Sequence, residues 1–246
     1  MVKRFNMCQL LGLSSNKKVD IQFSLNEFRH RGYRNPHGWG FAFLDDGNWN
    51  IIKEPYTLSS EDIKREKFQF RSKIIIGHVR LASCGKKDHQ NTHPFETDKW
   101  VFAHNGTINK IMGLPQFKLV HLVPKGQTDS EYAFCYLLEK INENSDKVID
   151  VLEEESKNIR RCGRFNFLLS DGEKIFAHGD NSLFFVQRKA PFDVVTLRDN
   201  QYSVDLGEIK APDEKAILIA TEPLTENEDW QQIDGIKIFK DGEEGI

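Results

Sequence analysis

The sequence predicts an α+β fold in which two β-sheets are packed between helices. Three observations predict it. Short apolar runs of strand length recur along most of the chain, a helical block interrupts them near the middle, and strands and helices do not alternate regularly.

Taken in order, the first strand is expected over 8–13 and a helix over 21–30. Strands 38–44 and 50–53 are joined by Asp45-Asp46-Gly47-Asn48, a hairpin signal because an Asp-Gly pair tolerates positive φ at both central residues. A helix at 60–68 precedes strands at 73–79 and 100–104. The clearest helix spans 129–141, where Phe134, Leu137, Leu138 and Ile141 fall on one face, and Thr128 with Glu131 forms a capping-box pattern at its start. Another helix over 145–159 carries Val148, Ile149 and Leu152. Strands are then expected at 164–170, 174–178, 183–187, 202–206, 215–221 and 236–239.

A chain of 246 residues can bury a sizeable core, and that length suits one large domain or two small ones. The sequence has no Pro/Gly/Ser-rich spacer, low-complexity run or internal repeat, so one domain over 1–246 is the expectation. A net charge of -3 gives no electrostatic case for nucleic acid. Apolar runs such as 74–76 and 216–220 fall far below the roughly 20 residues that span a bilayer, so no membrane association is expected. Cys8, Cys84, Cys135 and Cys162 lack paired spacing and read as reduced thiols of a cytoplasmic protein. Lys3-Arg4 precede an apolar run over 7–13 that is too short for a secretory segment.

The chemistry concentrates in three stretches: His78-Val79-Arg80-Leu81-Ala82-Ser83-Cys84-Gly85, Asn91-Thr92-His93-Pro94-Phe95 and Ala103-His104-Asn105-Gly106. On its own, Cys8 is a small apolar residue at the head of a strand or a nucleophile in need of a base. Arg80, at a strand end, offers a planar fork of donors suited to a carboxylate, or a surface salt bridge. Asn105-Gly106 reads as a tight turn with an exposed N–H, and Asp129 at a helix start complements the helix dipole.

Together, Cys8, Arg80, residues 91–94, Asn105-Gly106 and Thr128-Asp129-Ser130-Glu131 resemble the glutaminase domain of class II glutamine amidotransferases, which are N-terminal-nucleophile hydrolases. The stand-alone YafJ-like group is similar also at Met7-Cys8-Gln9-Leu10-Leu11-Gly12, Gly38-Trp39-Gly40, Phe165-Asn166-Phe167-Leu168-Leu169-Ser170-Asp171-Gly172 and Ala220-Thr221-Glu222-Pro223-Leu224-Thr225. The resemblance implies a four-layer αββα sandwich. It makes Cys8 the nucleophile, with its own α-amino group as base once it is residue one, and residues 1–7 then read as a leader, a misassigned start or a tag. Asn105 and Gly106 become the oxyanion hole, Arg80 the partner of the substrate α-carboxylate and Asp129 that of its α-ammonium, while Trp39, Ser83 and His93 shape the pocket.

The substrate so implied is glutamine or a γ-glutamyl compound, with an ammonia-accepting synthase subunit as a candidate partner and neither metal nor cofactor. His37 stands where an aspartate is expected, and Cys84 occupies a variable position beside the pocket. Two other readings remain at this stage. His78, His89, His93 and His104 with Asp88 and Asp98 could serve a metal hydrolase, and retention of residues 1–7 would leave a non-catalytic module of the same fold.

Overall fold

The computed structural model describes residues 8–32, 34–64 and 68–245. The expected leader at 1–7 and part of the expected helix at 60–68 lie outside them. In chain order, β1 (Gln9–Val19) leads to α1 (Gln22–Gly32), the hairpin β2 (Trp39–Asp45) and β3 (Asn48–Glu54), then α2 (Ser60–Lys64) and β4 (Ser72–Val79). Next come β5 (Phe95–Thr97) and β6 (Trp100–Thr107), followed by α3 (Asp129–Glu143) and α4 (Val148–Ile159). The last third holds β7 (Arg164–Ser170), β8 (Ile175–Gly179), β9 (Phe184–Lys189), β10 (Val194–Thr196), β11 (Ser203–Asp205), α5 (Leu206–Ile209), β12 (Lys215–Ala220), β13 (Gln231–Gln232), β14 (Gly235–Lys240) and β15 (Glu243–Glu244).

Two antiparallel sheets carry the architecture, one ordered β13-β9-β12-β1-β4-β2-β3 and the other β15-β14-β8-β7-β6-β5, with a separate β10-β11 pair. Alternation along each strand sends its residues to two faces. Leu10, Ile74 and Ile76 of the first sheet meet Val101, Ala103 and Leu168 of the second between the sheets. Leu11, Phe41 and Ile75 face the other way, onto Leu25 and Phe28 of α1. Phe102, Phe165 and Phe167 back onto Phe134, Leu137 and Ile141 of α3, and the Phe102 and Phe134 rings stack with centroids 5.2 Å apart. The layers therefore run helix, sheet, sheet, helix, as expected. The sheets approach closely at Gly12, where an added Cβ would lie 3.0 Å from Leu168 Cδ1.

The hairpin forms at the Asp-Gly pair: Asp46 and Gly47 take φ of 47° and 82° between the paired Asp45 and Asn48. The capping box forms by half. Thr128 accepts from the Glu131 N–H, but the Glu131 carboxylate turns to the Lys125 and Gly126 N–H groups instead.

Several expectations are corrected. β1 continues to Val19 through a polar run, because Ser14 and Ser15 pair with β12 on a central strand and Ser15 Oγ donates to the Lys215 carbonyl. α4 starts at Val148, after a turn in which the Lys147 N–H reaches the Asn144 carbonyl. The strand expected over 202–206 stops at Asp205, which caps α5 by accepting from the Gly207 N–H. β5, β10, β13 and β15 are two or three residues long, too short to show a period. No helix of the described residues is long and apolar enough to cross a membrane.

Candidate active site

Cys8 immediately precedes β1 and shares its inner face with Leu10. The antiparallel pairing Gln9 with Val79 means that Cys8 and Arg80 leave neighbouring strands side by side. The thiol is half-buried and clasped by one residue: Leu81 N–H donates to Sγ at 3.1 Å, and Sγ donates to the Leu81 carbonyl at 3.3 Å. Burial pushes the Cys8 thiol up to about 11, against a downward pull from the Leu81 contact and the Arg80 charge. Asp129 adds a further upward push.

Across the inter-sheet layer, Asn105 faces the same space from β6. The Asn105-Gly106 pair corrects an expectation, because it lies inside a strand instead of a turn: Asn105 pairs with Asn166 and Gly106 with Phe165 of β7. Glycine is required there because a Cβ at Gly106 would sit 1.8 Å from the Arg164 carbonyl oxygen. Asn166 Nδ2 donates to the Asn105 carbonyl, and Asn105 Nδ2 donates to Thr221 Oγ1 at 3.3 Å. Thr221 Oγ1 also accepts from the Leu10 N–H at 2.8 Å. Thr221 thus ties β12, β1 and β6 together two residues from Cys8.

The other end of the site is built from loops. Arg80 is 2% exposed and does not make a surface salt bridge: Nη2 donates to the Cys84 carbonyl at 2.8 Å and Nη1 to the Lys86 carbonyl at 3.2 Å. Asp129, in the first turn of α3, is equally buried. Its Oδ2 accepts from the Ile108 N–H at 2.7 Å, and its Oδ1 from Cys84 Sγ at 3.4 Å and Ser130 Oγ at 3.3 Å. Burial raises the Cys84 thiol above its ordinary range. Ser83 is exposed on the same loop.

His37 fills the place of the missing aspartate. Its Nδ1 accepts from the Ala82 N–H at 2.9 Å, so that nitrogen is unprotonated, and burial with nearby Lys87 and Arg80 lowers its pKa.

Two expected pocket residues are buried in the core. Trp39 is wholly buried against Phe41, Tyr56 and Phe68 and belongs to the core beneath α1. His93 is 3% exposed and wedged between His78 and Phe95, with ring centroids 4.2 and 4.4 Å away. Burial holds His78 down to about 3 and His93 well below its usual value. Gly40 explains why the motifs at 38–40 and 91–94 coexist: a Cβ there would lie 2.2 Å from the His93 carbonyl oxygen, and Lys53 Nζ donates to the Thr92 and Pro94 carbonyls beside it.

The histidines considered for a metal do not all converge, although His78 and His93 lie against each other. His89 is exposed and bonds Glu54, whereas His104 is buried between Ser130 Oγ and the Arg164 carbonyl. Among the described residues no three His, Cys, Asp or Glu side chains form a metal-sized group. Residues that sequence reasoning left without a role are Leu81, Thr221 and Asn166. All three stood within quoted motifs, but their contacts cross the fold and leave no local periodicity.

The fold and the site define a class: stacked sheets between helices, with a cysteine at the head of a central strand facing an Asn-Gly pair across the inter-sheet layer. Comparison with known sequences agrees. The profile described as "Glutamine amidotransferases class-II" matches residues 7–244. The chain is 35% identical to YafJ of Escherichia coli K12 over 92% of this chain and 94% of that one. An uncharacterized protein of Methanocaldococcus jannaschii is 41% identical over 96% of this chain and 70% of its own length. The crystal structure of a predicted glutamine amidotransferase from Pseudomonas aeruginosa superposes with a TM-score of 0.71 at 29% identity, covering 97% of this chain and all of that one. The chain belongs to the class II glutamine amidotransferases.

Proposed function

We propose that the chain is a single-domain amidohydrolase that cleaves the γ-carboxamide of glutamine, or of a γ-glutamyl amide or peptide, through a thioester on Cys8. The observation that carries this reading is the common neighbourhood of Cys8, Arg80 and Asp129, whose charges act on the Cys8 thiol, opposite Asn105.

In the proposed cycle the Cys8 thiolate attacks the γ-carbonyl carbon. The resulting oxyanion is held by the Asn105 side-chain amide and the Gly106 N–H, each donor being worth a few kcal/mol in the transition state. Collapse breaks the C–N bond, and the nitrogen leaves with the proton the thiol gave up, as ammonia from glutamine or as the parent amine from a γ-glutamyl amide or peptide. Water then hydrolyses the thioester to glutamate and restores the thiol. Arg80 would take the substrate α-carboxylate and Asp129 its α-ammonium. Ser83 lies at the rim, while Trp39 and His93 support the walls from the core.

A thiol at about 11 is ionised at roughly one part in several thousand at pH 7.5. The α-amino group of Cys8, with a reference pKa of about 7.7 to 8.0, is the base the reading requires, so release of residues 1–7 activates the chain. The same thiol pKa defines the second reading: with residues 1–7 attached, the chain is a non-catalytic module of the same fold. Ammonia passes to a synthase subunit in the transferase version and to solvent in the hydrolase version. Four free thiols support a cytoplasmic setting.

The test is release of glutamate with ammonia from glutamine, and of glutamate with the parent amine from γ-glutamyl amides and peptides. The two products are expected in equal amounts, with Cys8→Ala slower by about a thousandfold or more. Retention of activity in Cys8→Ala would sink the thioester mechanism.

A further inference from the structure

One loop engages all three functional groups of the site. Leu81 holds the Cys8 thiol through both of its backbone groups. Three residues on, the Cys84 carbonyl takes Arg80 Nη2 at 2.8 Å while the Cys84 thiol donates to Asp129 Oδ1 at 3.4 Å. Cys84 therefore presents an oxygen acceptor to Arg80 and a proton donor to Asp129. These are the two kinds of group that the α-carboxylate and α-ammonium of an amino acid would present to the same pair.

Resting on the reading of Arg80 and Asp129 as the two ends of the substrate site, we propose that Cys84 is a positioning residue that sets affinity for the substrate α-ammonium. It occupies Asp129 in the free protein and must be displaced when an amino acid binds.

The identity of the side chain matters because a thiol is a weak donor. Burial keeps the Cys84 thiol protonated at neutral pH, so it donates to the carboxylate without adding a second negative charge. Asp129 Oδ2 is already satisfied by the Ile108 N–H at 2.7 Å, and the remaining donor to Oδ1 is Ser130 Oγ at 3.3 Å. Residue 84 thus controls how much an incoming ammonium gains at Oδ1. A hydroxyl there would satisfy the carboxylate better and compete harder. A methyl group would leave Oδ1 short of a donor and favour the ammonium.

The test is calorimetric binding of L-glutamine to the full chain carrying Cys8→Ala, which cannot turn the ligand over, with and without Cys84→Ala or Cys84→Ser. Kd is expected to fall about three- to tenfold with Cys84→Ala and to rise by a similar factor with Cys84→Ser. Glutaramate, which keeps the carboxylate and the carboxamide but lacks the α-ammonium, is expected to bind all three proteins alike. On the active chain the same opposed changes are expected in KM and not in kcat.

A merely structural cysteine would give another pattern, with both variants weaker, serine milder than alanine and glutaramate affected equally; that pattern, or unchanged Kd values, overturns the role of Cys84 and leaves the amino-acid site standing. Failure of the Cys8→Ala protein to bind glutamine or any γ-glutamyl amide overturns the inference together with the functional reading.

Discussion

Around Cys8, Asn105 and Gly106 the site is made by strand register, whereas around Arg80, Cys84 and Asp129 it is made by side chains that fasten loops. At the first end, β6 and β7 pair residue for residue through Asn105 and Gly106, and Thr221 bonds both β1 and β6. At the second, the described contacts run from Arg80 to the Cys84 and Lys86 carbonyls and from Asp129 to Ile108, Cys84 and Ser130. The division suits the acyl transfer proposed above. Under that proposal Asn105 and Gly106, as oxyanion donors, must be fixed before charge develops, since their advantage lies in preorganisation, while the end proposed to admit substrate must exchange its partners.

Gly106→Ala is the strongest way to break this comparison, because the new Cβ would sit 1.8 Å from the Arg164 carbonyl oxygen of the neighbouring strand. A loss of about 3 kcal/mol or more is expected in urea unfolding. Gly47→Ala is the control: its hairpin has φ of 82° with nothing near the added carbon, so only backbone strain of about 1 kcal/mol is expected. Equal losses would mean that register does not fix the Asn105-Gly106 end.

Acid probes the layer between the two ends. Burial lowers His78 to about 3 and also lowers His93, so the unfolded chain takes up protons near pH 6.5 where the folded chain does not. Stability present above pH 6.5 is therefore lost as pH falls toward 3, with His78 alone removing on the order of 3 kcal/mol by pH 4.5. Imidazole NMR should show His78 neutral from pH 8 to 5; a titration near 6.5 would refute its burial.

Glu139→Gln carries the smallest expected effect and sharpens the loop side. Its carboxylate collects the N–H groups of Val120, His121 and Leu122, fastening the segment that leads to Asp129. About 1 kcal/mol of stability should be lost, with faster amide exchange confined to 120–122. Exchange spreading into β6 would show that the two ends are not independent.

The same division explains what the sequence made legible. The αββα layering, the hairpin at Asp46-Gly47 and the helix at Asp129 follow from period, turn chemistry and capping, which are local. Cys8, Arg80, Asn105 and Asp129 were legible because their motifs are rare and stand in a fixed order. Asn105-Gly106 nevertheless read as a turn, because strand pairing with β7 is a tertiary fact that a dipeptide does not carry. Trp39 and His93 were expected at pocket walls because a motif shows which residues belong together and not which face they take. Thr221 and Leu81 act through partners about 116 and 73 positions away, beyond any local pattern.

The central claim is that Cys8 becomes a nucleophile when its own amine is free. Intact mass and N-terminal sequencing of protein expressed from the natural gene, before and after exposure to a glutamine-mimicking alkylating agent, tests it most directly. The account predicts an active chain that begins at Cys8 and gains one label, on Cys8. An active chain that retains residues 1–7, or a label carried by Cys84 instead, would contradict it.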